Sequence, residues 1–221
     1  MRQENLFGDG RGLIGSDESG KGDFFGPLVV AAVYLPEGQG EVLQELGVKD
    51  SKKLTDKRIN ELAETIKKGY VHSIVSVGPQ KYNELYYKLK NLNRLLAWAH
   101  SRAIENILEK VPCNRAMTDQ FGNESYVLNA LMKKGRTLEL IQKPKAESEP
   151  AVAAASILAR AEFLRRMHFL SQEIGTELPR GASPRVEEAA VSLVKKHGQE
   201  ILDRLAKTHF KTTKRILEAV T

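Results

Sequence analysis

The segment from residue 12 to residue 35 constrains the fold more than any other part of the chain. Two apolar stretches, residues 12–17 and 27–35, have the composition of β-strands, and the glycine-rich segment Gly20–Gly26 separates them. A third stretch, residues 70–77, alternates apolar and polar side chains, which is typical of a half-buried strand. The chain is therefore predicted to begin with a meander of three strands.

Helices and strands alternate in the rest of the chain. Thr55 is predicted to cap a helix that ends at Gly69. Residues 93–110 have the spacing of a longer amphipathic helix, with Trp98 on its apolar stripe. The further predicted elements are a strand ending near Asp119, a helix over 124–133, a strand over 137–142 and helices from residue 148 onward, interrupted by a loop at 175–184.

This order of elements indicates one α/β domain with a mixed sheet. Sites in such sheets gather at the ends of the strands. Because no linker-like segment divides the chain, we expect a short N-terminal extension, residues 1–12, and a single domain over residues 13–221. The part from about residue 149 onward is expected to be helical.

Composition narrows the functional classes. The 221 residues carry a formal net charge of +6, which favours a polyanionic partner such as nucleic acid, although many soluble proteins are as basic. Every apolar run is shorter than the roughly 20 residues that span a bilayer. Cys113 is the only cysteine, so an internal disulfide and a CxxC-type zinc site are excluded. We expect a cytoplasmic monomer that does not enter membranes.

Four acidic residues stand at predicted junctions between a strand and a loop: Asp17, Glu18, Asp119 and Glu147. Taken singly, Asp119 and Glu147 are better explained as solvated carboxylates or helix caps. Four carboxylates at one sheet edge, however, would repel one another unless cations neutralise them. Oxygen ligands suit Mg²⁺ or Mn²⁺, and a pair of such ions serves in phosphodiester hydrolysis.

Six short motifs follow one another along the chain. They are G-S-D-E-S-G-K-G-D-F-F-G-P-L at 15–28, D-S-K-K-L at 50–54, T-D-Q-F-G at 118–122, K-A-E-S at 145–148, A-V-A-A-A-S-I-L-A-R at 151–160 and K-T-H-F-K-T-T at 207–213. In this order they resemble the type 2 ribonucleases H. Glu147 favours the ribonuclease HIII branch, because ribonuclease HII enzymes carry aspartate at the corresponding position.

The resemblance implies a ribonuclease H-like fold, in which helices flank a mixed five-stranded sheet. It also implies a metal-dependent endonuclease that hydrolyses the RNA strand of RNA–DNA hybrids and leaves 5′-phosphate and 3′-hydroxyl ends. Two ions, Mg²⁺ or Mn²⁺, would be held by Asp17, Glu18, Asp119 and Glu147, with Glu149 as the alternative to Glu147. The domain similar to the TATA-binding protein, which usually precedes this catalytic domain in ribonuclease HIII, is expected to be absent.

The same resemblance suggests residues that contact the substrate. A glycine–basic–glycine turn would contact the 2′-hydroxyl group that distinguishes RNA from DNA. Lysines before the first long helix would contact phosphates, and a later serine would meet the nucleic-acid backbone. These residues are Gly20, Lys21 and Gly22 in the turn, then Lys52, Lys53 and Ser183.

Other interpretations stay open at this point. A ribonuclease HII-like enzyme would cut at a single ribonucleotide embedded in DNA, and a non-catalytic module on the same fold would bind hybrids without cutting them. The basic tract with Lys207, His209 and Lys211 is as consistent with a solvated face as with contacts to the DNA strand. His209 could also transfer protons, although a structural role is the simpler interpretation.

Overall fold

The computed structural model describes residues 12–48, 51, 54–120, 125–130 and 138–220. Within these residues, five strands form a mixed sheet in the order β3-β2-β1-β4-β5. This confirms the predicted α/β class and the five-stranded sheet. The strands are β1 (Gly12–Ser19), β2 (Leu28–Pro36), β3 (His72–Val77), β4 (Arg115–Asp119) and β5 (Glu139–Lys143).

The predicted helices are present wherever the structure describes the chain. Thr55 caps the first long helix, because its side-chain oxygen accepts the Arg58 N–H at 3.3 Å. The predicted extension of another helix to residue 133 lies outside the described residues. The helices are α1 (Gly40–Glu45), α2 (Asp56–Gly69), α3 (Pro79–Leu89), α4 (Leu92–Leu108), α5 (Ser125–Ala130), α6 (Pro150–Ile174), α7 (Pro184–His197), α8 (Ile201–Leu205) and α9 (Lys211–Val220).

The chain divides into two compact units. The first contains the described residues up to Glu18 together with Val30–Val75 and Asn93–Ala161. The second contains Ser19–Val29, Ser76–Leu92 and the chain from Glu162 onward. The predicted division into an extension over 1–12 and one domain over 13–221 stays a prediction.

Parallel pairing brings three strand ends to one edge of the sheet. Strand β1 pairs with β4 so that Ser16 lies opposite Thr118, and β4 pairs with β5 so that Asp119 lies opposite Lys143. Carboxyl ends of parallel strands meet at the same edge. The residues near these strand ends, Asp17 and Asp119 among them, are therefore neighbours although they are far apart in sequence.

Helix α6 packs closely against β1 within the first unit. Residues 151–159 of α6 are all buried, as expected for a helix segment that is apolar on all sides. A Cβ atom added to Gly15 would overlap the carbonyl carbon of Ala151 and the amide nitrogen of Val152. Only glycine therefore allows the backbone of α6 to approach β1 this closely.

The position predicted for Trp98 is wrong. Its side chain is 41% exposed, whereas Leu95, Leu96 and Ala99 of the same helix are fully buried. Trp98 shares the outward face of α4 with Arg102, one turn later, because residues four apart lie on one side of a helix. Among the described residues, no helix is both long and apolar enough to cross a membrane.

Candidate active site

Three of the predicted acids lie at the strand edge in the first unit. Asp17 and Glu18 are near the end of β1, and the Glu18 N–H donates to Asp17 Oδ1 at 2.8 Å. Asp119 is the last residue of β4. Its Oδ1 accepts the N–H of Ala146 at 3.3 Å, and Ala146 immediately precedes Glu147 in a 3₁₀ turn. The chain therefore delivers Glu147 to the neighbourhood of Asp119.

Electrostatics link Asp17 to its acidic neighbours. Burial, the negative charge of Glu18 and, more weakly, that of Asp119 together raise the pKa of Asp17 to about 7. The Glu18 N–H and a hydrogen bond from Ser156 act in the opposite direction. The surroundings of Asp17 disfavour its charged form, which a cation bound nearby would stabilise.

The full set of four ligands is not displayed by the side-chain geometry. Among the residues described, no group of three or more histidine, cysteine, aspartate or glutamate side chains is arranged to hold a metal ion. The structure relates Asp17 to Glu18 and Asp119 through their charges, and Asp119 to Glu147 through the contact at Ala146. The four-residue metal site stays a prediction.

His100 belongs to this neighbourhood, and the sequence did not identify it. Its ring is buried in α4, with Nδ1 2.8 Å from Ser16 Oγ and Nε2 3.3 Å from Glu18 Oε2. Because a carboxylate only accepts, Nε2 carries the proton that bonds Glu18. One feature of the sequence could have indicated this role of His100: it is a polar residue on the apolar stripe of the helix predicted over 93–110.

Two buried serines support Asp17. Ser156 of α6 donates a hydrogen bond to Asp17, and its Oγ lies 2.7 Å from Ser51 Oγ. Ser51 belongs to the D-S-K-K-L motif. This motif therefore contacts the acidic edge through a serine for which the sequence predicted no role. The predicted phosphate contacts Lys52 and Lys53 lie outside the described residues.

The glycine–lysine–glycine turn lies in the second unit. Gly20 has a φ of +86°, and its carbonyl accepts the N–H of Asp23 at 3.2 Å. A Cβ atom at Gly20 would lie 2.8 Å from the Phe163 ring, whereas one at Gly22 would meet nothing within 4 Å. Lys21 is half-buried between the two glycines. The turn is thus closely packed against Phe163 at Gly20, whereas the space around Gly22 is open.

Ser183 lies in the same unit, at the start of α7. It is exposed and its hydroxyl makes no capping hydrogen bond. Two residues earlier, the Gly181 N–H donates to Asp23 Oδ1 at 2.7 Å. The segment before Ser183 is therefore bonded directly to the loop that contains Gly20–Gly22. The roles predicted for these residues in substrate binding stay predictions.

The basic tract is not a uniform solvated face. Lys207 is fully buried, and burial lowers its pKa to about 7, although the charge of Asp23 opposes this change. The ring of His209 stacks on that of Tyr86 with 4.0 Å between their centroids. Burial and the charge of Lys207 lower the pKa of His209 to about 4. Interpreting Lys207 as a solvated side chain is therefore wrong.

The buried lysine should make stability depend on pH. The ordinary pKa of lysine, 10.5, lies above the folded-state value of about 7 for Lys207, so between these pH values the unfolded chain binds more protons. The free energy of unfolding should therefore rise from pH 7 towards pH 10. This gain should be lost again as the pH falls back through this range to 7. Denaturant titrations of the wild type and Lys207→Met across this range measure the effect. Identical pH profiles for the two proteins would contradict it.

Known proteins resemble this chain over nearly its whole length. A family model described as Ribonuclease HII matches residues 14–213. Ribonuclease HIII of Protochlamydia amoebophila (strain UWE25) is 48% identical over 207 residues, which cover 94% of this chain and 69% of that protein. Ribonuclease HIII of Chlamydia pneumoniae is 46% identical over 209 residues, which cover 92% of this chain and 70% of that protein.

A solved structure gives the same result. The crystal structure of Bst-RNase HIII in complex with Mn²⁺ superimposes with a TM-score of 0.87 at 34% identity, covering 96% of this chain and 71% of that one. The chain therefore belongs to the type 2 ribonuclease H family, and it is an endonuclease that cleaves RNA strands. Within the family it is similar to ribonuclease HIII, the branch that Glu147 predicted.

Proposed function

We propose that Asp17, Glu18, Asp119 and Glu147 bind two divalent cations, Mg²⁺ or Mn²⁺, for hydrolysis of the RNA strand in RNA–DNA hybrids. The observation that carries this proposal is the parallel pairing of β1 with β4, which brings carboxylates near the ends of the two strands side by side. The crystallisation of Bst-RNase HIII with Mn²⁺ supports the choice of cation.

The donor chemistry fits a hard cation. Carboxylate oxygens are the ligands that Mg²⁺ and Mn²⁺ prefer, and the partly buried acids gather negative charge that a cation would neutralise. Divalent cations, when bound, lower the pKa of an attacking water and stabilise the leaving 3′ oxygen, so the products carry 5′-phosphate and 3′-hydroxyl ends.

The surrounding side chains hold the acids in place. His100 donates to Glu18, Ser156 donates to Asp17, and the Ala146 N–H donates to Asp119. Each of these bonds engages an acceptor site of a carboxylate. Such neighbours fix ligand orientation, which is a large part of how proteins tune metal sites.

For the substrate, we propose that the open glycine turn contacts the RNA 2′-hydroxyl group. Glycine permits close approach of the backbone, and Gly22 has open space around it. The remaining proposed contacts are to phosphates and sugars. Together the proposed substrate residues are Gly20, Lys21, Gly22, Lys52, Lys53 and Ser183.

Location and assembly are further proposals. Cys113, the only cysteine in the sequence, cannot form an internal disulfide, which is consistent with a reducing cytoplasm. We propose a cytoplasmic monomer whose partner is the hybrid duplex. Light scattering coupled to gel filtration tests the oligomeric state.

One cleavage assay tests the proposed function. End-labelled RNA–DNA hybrid, a DNA duplex with one ribonucleotide, and double-stranded RNA are each incubated with Mg²⁺ or Mn²⁺. We expect cuts in the hybrid alone, at many positions. Cleavage at the single ribonucleotide would instead support ribonuclease HII-like activity, which the match to the Ribonuclease HII family model makes the second candidate. No cleavage of any substrate would support a non-catalytic hybrid-binding module.

Glu147 and Glu149 should differ sharply in importance. Glu149 lines a cavity of about 440 Å³ with Gly12, Asn114 and Arg115, at the starts of β1 and β4, and none of the four proposed ligands is among the residues that line it. Its carboxylate is 3.8 Å from Lys143 Nζ. We therefore expect Glu147→Gln to lower kcat by about 10²-fold or more. Glu149→Gln, the matched control, should stay within a few-fold of the wild type in a steady-state assay. The reverse ranking would contradict the ligand set.

A further inference from the structure

Lys207 is fully buried, although lysine is among the residues least often found in protein interiors. Its Nζ donates to the carbonyl oxygen of Gly26 at 2.6 Å and to that of Phe25 at 3.3 Å. Its backbone N–H donates to the carbonyl oxygen of Phe24 at 2.8 Å. One residue therefore holds three successive carbonyl groups in the loop that follows the Gly20–Gly22 turn.

Main-chain pairing extends this contact. The N–H of Gly26 donates to the carbonyl oxygen of Leu205 at 2.8 Å, and Phe25 forms an antiparallel bridge with Ala206. Residues 205–207, which we name the clasp, thus lie alongside residues 24–26 in the manner of a short β-ladder. The clasp and the loop belong to the same compact unit.

The opposite edge of the loop is also bonded. The N–H of Phe24 donates to the carbonyl oxygen of Gly181 at 2.8 Å, and the Gly181 N–H returns a bond to Asp23 Oδ1 at 2.7 Å. Residues 23–26 are therefore held on both sides. Ahead of them, Gly22 is exposed, so the turn projects from a fixed base.

We propose that Lys207 is a positioning residue for substrate, which orients the Gly20–Gly22 turn towards the RNA strand by holding the carbonyls of Phe25 and Gly26. The inference rests on the proposed function, because it takes this turn as the contact to the 2′-hydroxyl group. Glycines have wide conformational freedom, so the flanking segment must impose the binding geometry. A turn that is ordered before binding avoids the entropy cost of being ordered by the substrate.

Lys207→Met tests the proposal, because it keeps an unbranched side chain of similar length and removes the donors. Lys196→Met, at an exposed position on α7, is the matched control. We expect Lys207→Met to raise KM for the hybrid about tenfold and to leave kcat within about twofold, as expected when binding is lost uniformly. The affinity for hybrid over DNA duplex of the same sequence, measured in EDTA, should fall by a similar factor. Lys196→Met should match the wild type in each measurement.

Amide hydrogen exchange separates this inference from the proposed function. In Lys207→Met the amides of Phe24 and Gly26 should exchange faster, while those of the sheet keep their protection. Unchanged exchange at these amides overturns the proposal, and so does faster exchange with an unchanged preference for hybrid. A wild type with no preference for hybrid would refute the proposed contact of the turn, and the exchange rates would still decide whether Lys207 holds the loop.

A milder variant covers the case in which Lys207→Met does not fold. Lys207→Gln keeps an N–H donor on a shorter side chain, and the same constants and exchange rates are measured on it. We expect a rise in KM accompanied by faster exchange at Phe24 and Gly26. A variant with faster exchange at these two amides but the KM of the wild type would overturn the proposal.

Discussion

Asp119→Asn should lower kcat for hybrid cleavage by about 10³-fold or more, which corresponds to roughly 4 kcal/mol of transition-state stabilisation. The substitution keeps the size of the side chain and an oxygen that can accept the Ala146 N–H, which lies 3.3 Å from Asp119 Oδ1. It removes the negative charge that would bind a cation. The fold should therefore persist while the chemistry is lost, and single-turnover kinetics in saturating Mg²⁺ measure the loss.

Stability gives a second readout of the same variant. The negative charge of Asp119 disfavours the charged form of Asp17, so removing it should leave the melting temperature in EDTA equal to that of the wild type or higher. Added Mn²⁺ should raise the melting temperature of the wild type more than that of Asp119→Asn. Asp203→Asn, the same change at an exposed position on α8, is the control and should match the wild type. Turnover near the wild-type rate in Asp119→Asn would remove this residue from the site.

Gly15→Ala should destabilise the protein by about 3 kcal/mol or more, because the new methyl group would overlap the backbone of Ala151 and Val152. A backbone cannot yield as a flexible side chain does, so α6 must move away from β1. For a chain of this size the melting temperature should fall by roughly 6–12 °C. Calorimetry or thermal circular dichroism measures the change.

Gly78→Ala provides the matched control for this destabilisation. Gly78 precedes α3 with a φ of −61°, and a Cβ atom there would meet nothing within 4 Å. Its melting temperature should stay within a few degrees of the wild type. If Gly15→Ala were equally harmless, the close approach of α6 to β1 would be incorrect, and with it the position of Ser156 beside Asp17.

The elements that local patterns encode were predicted correctly. Alternation and glycine turns located the strands of the meander, and Thr55 capped its helix as expected. The position of Asp17 and Asp119 at one edge was also expected from sequence, because sites in open α/β sheets gather at the ends of strands. The parallel pairing of β1 with β4 agrees with this expectation. The assignment of Asp17, Glu18, Asp119 and Glu147 as ligands of two cations depended on the family resemblance, and it stays a prediction.

Contacts between distant residues could not be predicted in this way. An apolar stripe predicts which helix face is buried but not which groups it meets, so His100 gave no sign of its bond to Glu18, 82 residues earlier. Trp98 showed the converse error, since an apolar side chain need not face the core. Lys207 was misjudged because charge predicts exposure, and only the tertiary structure supplies the carbonyl groups that it bonds.

The clasp also affects when the protein can become active during synthesis. Lys207 and Gly26 are separated by 181 positions, so the loop at residues 23–26 emerges from the ribosome long before its partner exists. The sheet strands β1 to β3 are complete by Val77, whereas the loop between the first two must wait for translation of residues 205–207. A nascent chain can therefore form much of its scaffold early, but the base of the turn is finished among the last contacts of folding.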